Sequence, residues 1–171
     1  MKILFLTPWY PDDKSPNHGI FVRDQAAALQ RVHQVVVVSA KVDYSAFAFF
    51  SYTVKESNFR DVKEYRISVK RSIPFLNQLV FFCIATRQAV RISKVFSPDV
   101  IHGNIGYPGA FWSWRVSKRM RKPYVVTEHT SRFTANFRSI IHKFLTIYSL
   151  KQARGIISVS SHSAKEISVF I

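Results

Sequence analysis

Short apolar runs alternate with longer helix-like segments along this chain, and that alternation is the feature that most restricts its fold. Residues 2–7 and the β-branched run at 35–38 are predicted to be buried strands, because both are largely apolar rather than alternating. A helix is predicted between them at 19–31. Strands that alternate with helices of this length indicate parallel βαβ units. The expected fold class is α/β, a doubly wound Rossmann-like parallel sheet with helices on both faces.

The rest of the chain continues this alternation. The stretch 64–71 alternates apolar with charged residues, which predicts a strand with one solvent-exposed face. The aromatic stretch AFAFFSY, within the poorly patterned segment 40–63, is interpreted as an irregular excursion or a short helix. Ser161 or Ser163 is the expected N-cap of a last helix. Other strands are expected at 99–102, 123–128 and 155–159, and other helices at 75–96, 108–120 and 138–152.

The length of 171 residues and the 47% content of hydrophobic residues suit a single domain, 1–171, with a sizeable core. Cys83 is the only cysteine, so no intramolecular disulfide can form and a reducing cytoplasm fits. The apolar run at 3–6 is too short for a secretion signal, and no membrane-spanning segment is predicted. The expected location is cytoplasmic, with a peripheral position on the inner face of the membrane.

Positive charge is in large excess, with 25 Lys and Arg residues against 10 Asp and Glu and a formal net charge of +15. Such an excess favours an anionic partner: nucleic acid, phospholipid headgroups or a phosphorylated small molecule. No RNP-like, zinc-finger or helix-turn-helix pattern is present, so nucleic acid is disfavoured. One basic and aromatic helix favours an anionic membrane surface, with an ordinary solvated face as the equal alternative; its residues are Arg87, Arg91, Lys94, Phe75, Phe81 and Phe82. A second basic cluster lies at 115–122.

Loops that follow the predicted strands carry the candidate ligand-binding residues, because ligands of such sheets bind beyond the carboxyl ends of the strands. In the first loop, Gly19 precedes a helix, where unpaired backbone N–H groups attract phosphate and the missing side chain allows close approach. His18 offers a donor or an acceptor beside it. The alternative is that Gly19 only turns the chain and His18 lies in solvent.

A glycine-rich segment at 102–109 follows another predicted strand. It leaves room for a ligand that His102, Asn104 and Tyr107 can line, or it forms an ordinary βα turn with a core histidine. No G-x-G-x-x-G pattern and no Walker lysine motif is present, so nicotinamide and ATP sites are disfavoured and no bound cofactor is expected.

His129 ends the predicted strand at 123–128, where it can accept a proton or donate a hydrogen bond near neutral pH. Glu128 can orient His129 only if their side chains meet, because adjacent strand residues point to opposite faces. The scattered spacing of His18, His102 and His129 gives no metal-ligand signature, so no metal site is expected.

Four segments together resemble the N-terminal domain of glycosyltransferase family 4, the retaining sugar-nucleotide glycosyltransferases of GT-B architecture. They are KILFLTPWYPDD…NHGIFVRDQAAAL, SPDVIHGNIGYPGAF, KPYVVTEHTSRF and ARGIISVSSHSAKEI. The order and spacing of the four segments carry the resemblance, which covers nearly the whole chain.

The resemblance implies that a sugar passes from a nucleoside-diphosphate sugar to an acceptor hydroxyl, with retention at the anomeric carbon and without a metal. It implies that His129 is the catalytic histidine and that Gly19 faces the diphosphate of the donor. The implied partners are that donor and a glycan or lipid-linked acceptor, in cell-surface glycan or glycolipid synthesis. The other implied site residues bind the acceptor: Asn17, His18, Asn104, Tyr107, Glu128 and Thr130.

Two departures from the family pattern limit these implications. Asn104 stands where many members have a second histidine, which leaves the acceptor chemistry there open. The family's C-terminal domain, which holds the donor nucleotide, has no counterpart within 1–171, so this piece is expected to be inactive alone. Two alternatives remain: a non-catalytic module that docks on an anionic membrane or polymer, and a sugar-nucleotide epimerase of the same architecture.

Overall fold

The computed structural model describes residues 1–74, 76–130, 132–137 and 139–171, and one seven-stranded sheet carries the fold. The strands are β1 (Lys2–Thr7), β2 (Gln34–Phe47), β3 (Tyr52–Phe59), β4 (Val62–Arg71), β5 (Val100–Asn104), β6 (Tyr124–Glu128) and β7 (Gly155–Ser158). The helices are α1 (Ile20–Gln30), α2 (Asn77–Phe96), α3 (Phe111–Met120), α4 (Ile140–Lys151) and α5 (Ser161–Ser168). Two short helical turns, Gly106–Ala110 and Phe133–Asn136, precede α3 and α4.

The strand order is β3-β4-β2-β1-β5-β6-β7, and all neighbouring strands are parallel except β3 and β4. The doubly wound α/β class predicted from the sequence is confirmed. The chain passes from β1 to β2 on one side and later returns to β5 on the other side, so its direction reverses at β1. Ligands of such sheets bind beyond the carboxyl ends of the strands at this reversal. The loops after β1, β5 and β6 lie there.

Apolar side chains on both faces of the central strands place one helix layer on each side of the sheet. Successive residues of a strand point to opposite faces, so β1 contributes to two separate cores. Ile3 and Phe5 join Val22 of α1 in the smaller cluster. Leu4 and Leu6 join the side chains of α2, α3 and α4 in the larger one.

The segment 40–63 differs from both interpretations of its sequence. The aromatic stretch spans the end of β2, a turn and the start of β3, so it is neither an irregular excursion nor a short helix. β3 forms an antiparallel hairpin with β4, in which Tyr52 pairs with Val69 and Phe59 with Val62. Most β3 side chains are exposed. Because this edge strand has no buried face of its own, no apolar alternation marks it in the sequence.

Two local predictions also need correction. Glu64 of β4 lies on the face expected to be exposed, but it is fully buried under α1 and the loop after β1, which contribute Arg23 and Tyr10 as partners. The N-cap of α5 is Ser160, whose Oγ accepts a hydrogen bond from the N–H of Ser163 at 3.1 Å. The cap therefore begins one residue earlier than the sequence pattern suggested.

Candidate functional site at the carboxyl edge of the sheet

Three segments each bring one residue to a common point at the carboxyl edge of the sheet: the end of β5, the residue after β6 and the first turn of α1. Asn104 ends β5 and lies in register with Thr127 of β6, so His129 just beyond β6 is within reach. Nε2 of His129 lies 3.0 Å from Oδ1 of Asn104. Phe21, in the first turn of α1, packs its ring on His129 with the centroids 4.5 Å apart. The structure thus brings together His129 and Asn104 as the strand ends predict.

The contact with Asn104 determines which nitrogen of His129 carries the proton. Nδ2 of Asn104 donates to the carbonyl oxygen of His102 at 3.5 Å, which turns Oδ1 toward the imidazole. An amide oxygen only accepts hydrogen bonds, so Nε2 of His129 donates and Nδ1 is the acceptor of the neutral ring. Burial lowers the pKa of His129 to about 4. The site therefore presents an uncharged imidazole at neutral pH.

Asn104 itself is fully buried. Its side chain contacts His129 from within the protein. The acceptor-binding role expected for Asn104 stays a prediction.

His102 lies behind this pair and faces the core rather than the open edge. Its Nε2 is 2.6 Å from Oγ1 of Thr127, and its ring is 4.4 Å from that of Phe5. Burial, with a smaller contribution from nearby His129, lowers the pKa of His102 to about 4. The side chain joins β5 to β6 beneath the site.

Acid is expected to destabilise the protein between about pH 6.5 and pH 4, the interval between the ordinary histidine pKa and the values of His102 and His129. In that interval the unfolded chain binds protons that the folded protein excludes, so stability falls as pH falls, by about 1.4 kcal/mol per unit for each histidine. Urea unfolding at several pH values measures this slope. His102→Gln should remove about half of it, whereas His18→Gln, at an exposed position, should leave it intact. An unchanged slope in His102→Gln would contradict the assignment.

Glu128 connects two loops from below the site. Its Oε2 accepts a hydrogen bond from the N–H of Gly106 at 2.6 Å, and its Oε1 accepts from the N–H and Oγ1 of Thr130, both at 2.8 Å. The carboxylate is fully buried. Glu128 therefore positions the turn Gly106–Ala110 against the start of the loop after β6, and its expected role in acceptor binding stays a prediction. Thr130 is half-buried at the edge.

The loop after β1 is built around its own glycine. Gly19 is buried with φ +71°, and a Cβ at this position would lie 2.5 Å from the carbonyl carbon and oxygen of Trp9. The backbone closest to Gly19 therefore belongs to Trp9, in the same loop. A donor-facing role for Gly19 stays a prediction. Asn17 and His18 are exposed, and the ring of His18 is 5.6 Å from that of Trp9.

Glu64 anchors the same loop to the sheet. Its carboxylate accepts hydrogen bonds from the hydroxyl of Tyr10 at 2.6 Å and from Nε of Arg23 at 2.8 Å. Arg66 adds a third link, because it donates both to Glu64 at 2.6 Å and to the carbonyl oxygen of Pro11 at 3.1 Å. The position of the loop therefore depends on a buried charge network that the sequence pattern did not reveal.

Tyr107 borders the site on the side of α4. Its ring stacks on that of His142 with centroids 4.3 Å apart, and its hydroxyl donates to Oε1 of Gln78 at 3.3 Å. Burial raises the pKa of Tyr107 to about 12. Two residues earlier, Ile105 has φ +73°, a conformation that β-branched residues rarely adopt. Its N–H donates to the carbonyl oxygen of Thr127 at 2.8 Å, which ties the strained turn to β6.

Phe21 shapes this edge but was not singled out from the sequence, and the contact that Thr127 makes was not predicted. Phe21 packs on His129, and Thr127 bonds His102. An apolar residue in the first turn of a helix beside a ligand loop is a signal that could have found Phe21, whereas a single threonine in a strand gives none. Within the described ranges, no three His, Cys, Asp or Glu side chains are grouped so that they could hold a metal ion.

The basic and aromatic helix expected near residue 87 has a different surface from the one predicted. Arg87 and Arg91 of α2 are exposed, but Phe81 and Phe82 are buried in the larger core. Phe75 lies outside the described residues. The rings of Phe81 and Phe82 therefore do not form an aromatic surface beside the cations. In the described part of the chain, no helix has the length and apolar character needed to span a bilayer.

Comparison with known proteins identifies relatives of this chain. A family model for Glycosyltransferase Family 4 matches residues 18–170. A protein named as the teichuronic acid biosynthesis glycosyltransferase TuaC, from Bacillus subtilis strain 168, is 28% identical over 142 residues. That match covers 77% of this chain and 36% of the relative.

Solved structures with the same fold are much less similar in sequence. HepE of Anabaena, solved in complex with UDP, superposes with a TM-score of 0.61 at 16% identity, over 99% of this chain and 40% of its own. The UDP-GlcNAc 2-epimerase of Methanocaldococcus jannaschii gives a TM-score of 0.57 at 10% identity, over 99% of this chain and 42% of its own. The chain thus spans about two fifths of the length of these proteins, and it matches one Rossmann-like half of the GT-B architecture.

Proposed function

The chain belongs to glycosyltransferase family 4, and we propose that it is the acceptor-binding half of a retaining glycosyltransferase. Such an enzyme transfers a sugar from a nucleoside-diphosphate sugar to an acceptor hydroxyl and keeps the anomeric configuration. The observation that carries this proposal is the neutral, half-buried imidazole of His129, held by Asn104 at the point where ligands of doubly wound sheets bind.

A UDP-sugar is the donor class best supported, because HepE was solved with UDP. In this proposal the loop after β1 approaches the donor diphosphate at Gly19, beside the amino end of α1. TuaC is named for teichuronic acid biosynthesis, which supports a role in cell-surface glycan or glycolipid synthesis. The enzyme would act in the cytoplasm, where sugar nucleotides are the donor substrates.

The proposed chemistry forms a glycosidic bond to the acceptor oxygen and breaks the bond between the anomeric carbon and the diphosphate oxygen. The diphosphate leaves as an anion and takes up the proton of the acceptor hydroxyl. An uncharged His129 can form a hydrogen bond with a hydroxyl of the donor sugar or of the acceptor. It adds no positive charge beside the leaving diphosphate. Nδ1 is the nitrogen available as acceptor, since Nε2 donates to Asn104. Asn17, His18, Tyr107 and Thr130 are proposed to contact the acceptor, and Asn104 and Glu128 are proposed to complete the acceptor site from its buried side.

In the full-length protein, His129→Ala is expected to lower the rate of sugar transfer at least about 100-fold, the effect typical of a lost acid–base or hydrogen-bonding group. The measurement is a screen of nucleotide sugars with detection of the released nucleoside diphosphate and of the glycosylated product. His162→Ala, at an exposed position of α5, is the matched control and should retain full activity. Unchanged transfer by His129→Ala would remove His129 from the mechanism.

Residues 1–171 alone are proposed to bind the acceptor without transferring sugar, because the proposed chemistry needs a second wall that holds the donor nucleotide. Isothermal titration with an acceptor found in the donor screen, followed by an assay for product, tests this statement. Turnover by residues 1–171 would contradict it.

A sugar-nucleotide epimerase is the second candidate, because the fold likeness to the UDP-GlcNAc 2-epimerase is nearly as good as that to HepE. The two functions differ in their need for an acceptor. Incubation of the full-length protein with each nucleotide sugar alone, analysed by NMR, would show an epimeric sugar nucleotide only for an epimerase. A protein without turnover in either assay would favour the non-catalytic docking module.

A further inference from the structure

The outward face of α4 is more apolar than its inward face. Ile140, Ile141 and Phe144 are 88%, 68% and 65% exposed, and Tyr148 shares their side of the helix. These positions lie within about 100° of arc on an α-helix. The buried side carries Leu150 together with Thr146 and Ser149, whose hydroxyls donate to carbonyl oxygens of the same helix.

The stripe formed by Ile140, Ile141, Phe144 and Tyr148, here called the α4 stripe, continues into a layer of aromatic side chains on α3. The ring of Tyr148 contacts that of Trp114 at 5.3 Å, and Trp114 in turn stacks on Phe111 at 5.5 Å. Both α3 rings are half-buried. The apolar surface is therefore a property of two neighbouring helices rather than of one isolated side chain.

Positive charge dominates the helices on the face of the sheet that carries the α4 stripe. α2, α3 and α4 contain no Asp or Glu, and α5, which packs into the same core through Ile167, contributes one acidic residue, Glu166. The cations of α2, α3 and α4 are Arg87, Arg91, Lys94, Arg115, Lys118, Arg119, Lys143 and Lys151. All but Arg115, which is half-buried, are exposed. An apolar stripe flanked by cations is the pattern of surfaces that lie in the interface of an anionic bilayer.

The amino end of α4 lies near the candidate site. Helices that follow parallel strands begin at the carboxyl edge of the sheet, so Ile140 and Ile141 lie at the same edge as His129. Tyr107 connects the two regions, because its ring stacks on His142 in the first turn of α4. A group held at the bilayer surface beside the α4 stripe would therefore be close to the site.

We propose that the face formed by α2, α3 and α4 docks on an anionic phospholipid bilayer, with the α4 stripe inserted among the headgroups. Docking itself does not depend on the proposed transfer activity. The role that we assign to docking rests on the proposed function: it would bring a lipid-linked acceptor to the carboxyl edge of the sheet. A bilayer accounts for both the cations and the exposed apolar side chains, whereas the phosphates of a nucleic acid would account for the cations alone.

Cosedimentation of the protein with lipid vesicles tests the proposal. We expect binding to vesicles of phosphatidylglycerol and phosphatidylcholine, and weak or no binding to phosphatidylcholine alone. Lys118→Gln with Arg119→Gln should lower the partition coefficient about 25-fold, since each cation near such a surface contributes about fivefold. Phe144→Ser should lower it at least about tenfold through loss of the inserted ring.

The matched controls lie at the end of α1, on the opposite face of the sheet. Arg31→Gln and Val32→Ser remove an exposed cation and an exposed apolar side chain there, and both should leave vesicle binding unchanged. Circular dichroism checks that every variant is folded. Three results would each overturn the proposal. The protein could bind neutral vesicles as well as anionic ones, or the control substitutions could weaken binding as much as the others. The third is that Phe144→Ser abolishes self-association of the protein and leaves vesicle binding unchanged.

The result can be separated from that of the transfer assay. His129→Ala should bind vesicles like the unmodified protein, because His129 lies outside the docking face. Failure of vesicle binding would leave the proposed transfer reaction standing, and failure of the donor screen would leave the docking face standing.

Discussion

Glu64→Gln is expected to lower the free energy of unfolding by at least about 3 kcal/mol, the cost of removing one partner from a buried ion pair. The carboxylate is fully buried. It accepts hydrogen bonds from the following groups: the hydroxyl of Tyr10, Nε and one terminal nitrogen of Arg23, Oγ of Ser57 and one terminal nitrogen of Arg66. Glutamine has similar volume, so the expected loss is due to charge and hydrogen bonding rather than to a cavity.

The ionised state of Glu64 explains why glutamine cannot replace it. Burial raises the pKa of Glu64, but the hydrogen bonds from Arg23, Tyr10 and Ser57 outweigh burial and hold it below its usual value. The amide of glutamine would turn an NH2 donor toward guanidinium donors and leave Arg23 and Arg66 without a counter-charge. An uncompensated buried charge costs more than the pair contributed.

Guanidinium unfolding followed by circular dichroism measures the effect. Glu56→Gln, on the neighbouring strand β3, is the matched control, because the ion pair of Glu56 with Lys63 is exposed on both sides. It should change stability by less than about 1 kcal/mol. Tyr10→Phe removes one hydrogen bond to Glu64 and should cost about 1–3 kcal/mol. A loss below about 1 kcal/mol in Glu64→Gln would show that the network is dispensable.

Glu64 also shows where sequence patterns reach their limit. The alternation in β4 predicts a strand correctly, and a glutamate on its polar side is expected to face solvent. In the structure, α1 and the loop after β1 cover that side of β4. Their residues Arg23 and Tyr10, which bond Glu64, are more than 40 residues away from it along the chain. A local pattern reports the polarity of a residue, but it does not report which distant segment supplies its partners.

The core strands were predictable because their signal is local and strong. β1 and β6 match the predicted strands within one residue, since short continuous apolar runs are typical of strands buried on both faces of a parallel sheet. β3 was missed because an exposed edge strand needs no apolar face. Its pairing with β4 is set by a turn that includes Arg60 and Asp61, both at positive φ without being glycine.

The candidate site was predictable in location but not in contacts. Parallel strands bring their carboxyl ends together, so Asn104 and His129 were expected at one edge. Their direct hydrogen bond depends on the register between β5 and β6, which no single-sequence pattern specifies. The same register buries Glu128 and turns it into a support for two loops.

Gly19→Ala is expected to lower the free energy of unfolding by at least about 3 kcal/mol. Two causes add at this position. A non-glycine residue at φ +71° costs about 1–2 kcal/mol. In addition, the new Cβ would lie 2.5 Å from the carbonyl carbon and oxygen of Trp9, which are backbone atoms that cannot rotate away as a flexible side chain would.

Two further variants separate these causes. Gly19→Asn should recover little, because asparagine tolerates a left-handed backbone but still places a Cβ against Trp9. If asparagine restores most of the stability, the close contact with Trp9 is unimportant. Gly155→Ala is the matched control: its Cβ would meet only a side-chain carbon of Val125 at 3.8 Å, without a positive φ. That change should be neutral or stabilising by about 0.4–1 kcal/mol.

The effect on function follows from where the backbone would have to move. Displacing Trp9 from Gly19 shifts the loop that carries Asn17 and His18, and it shifts the start of α1, where Phe21 packs on His129. In the full-length protein, Gly19→Ala should therefore weaken transfer even at temperatures where the fold persists. Normal transfer by a folded Gly19→Ala protein would show that neither the donor-facing prediction for Gly19 nor the packing of Phe21 on His129 matters for the reaction.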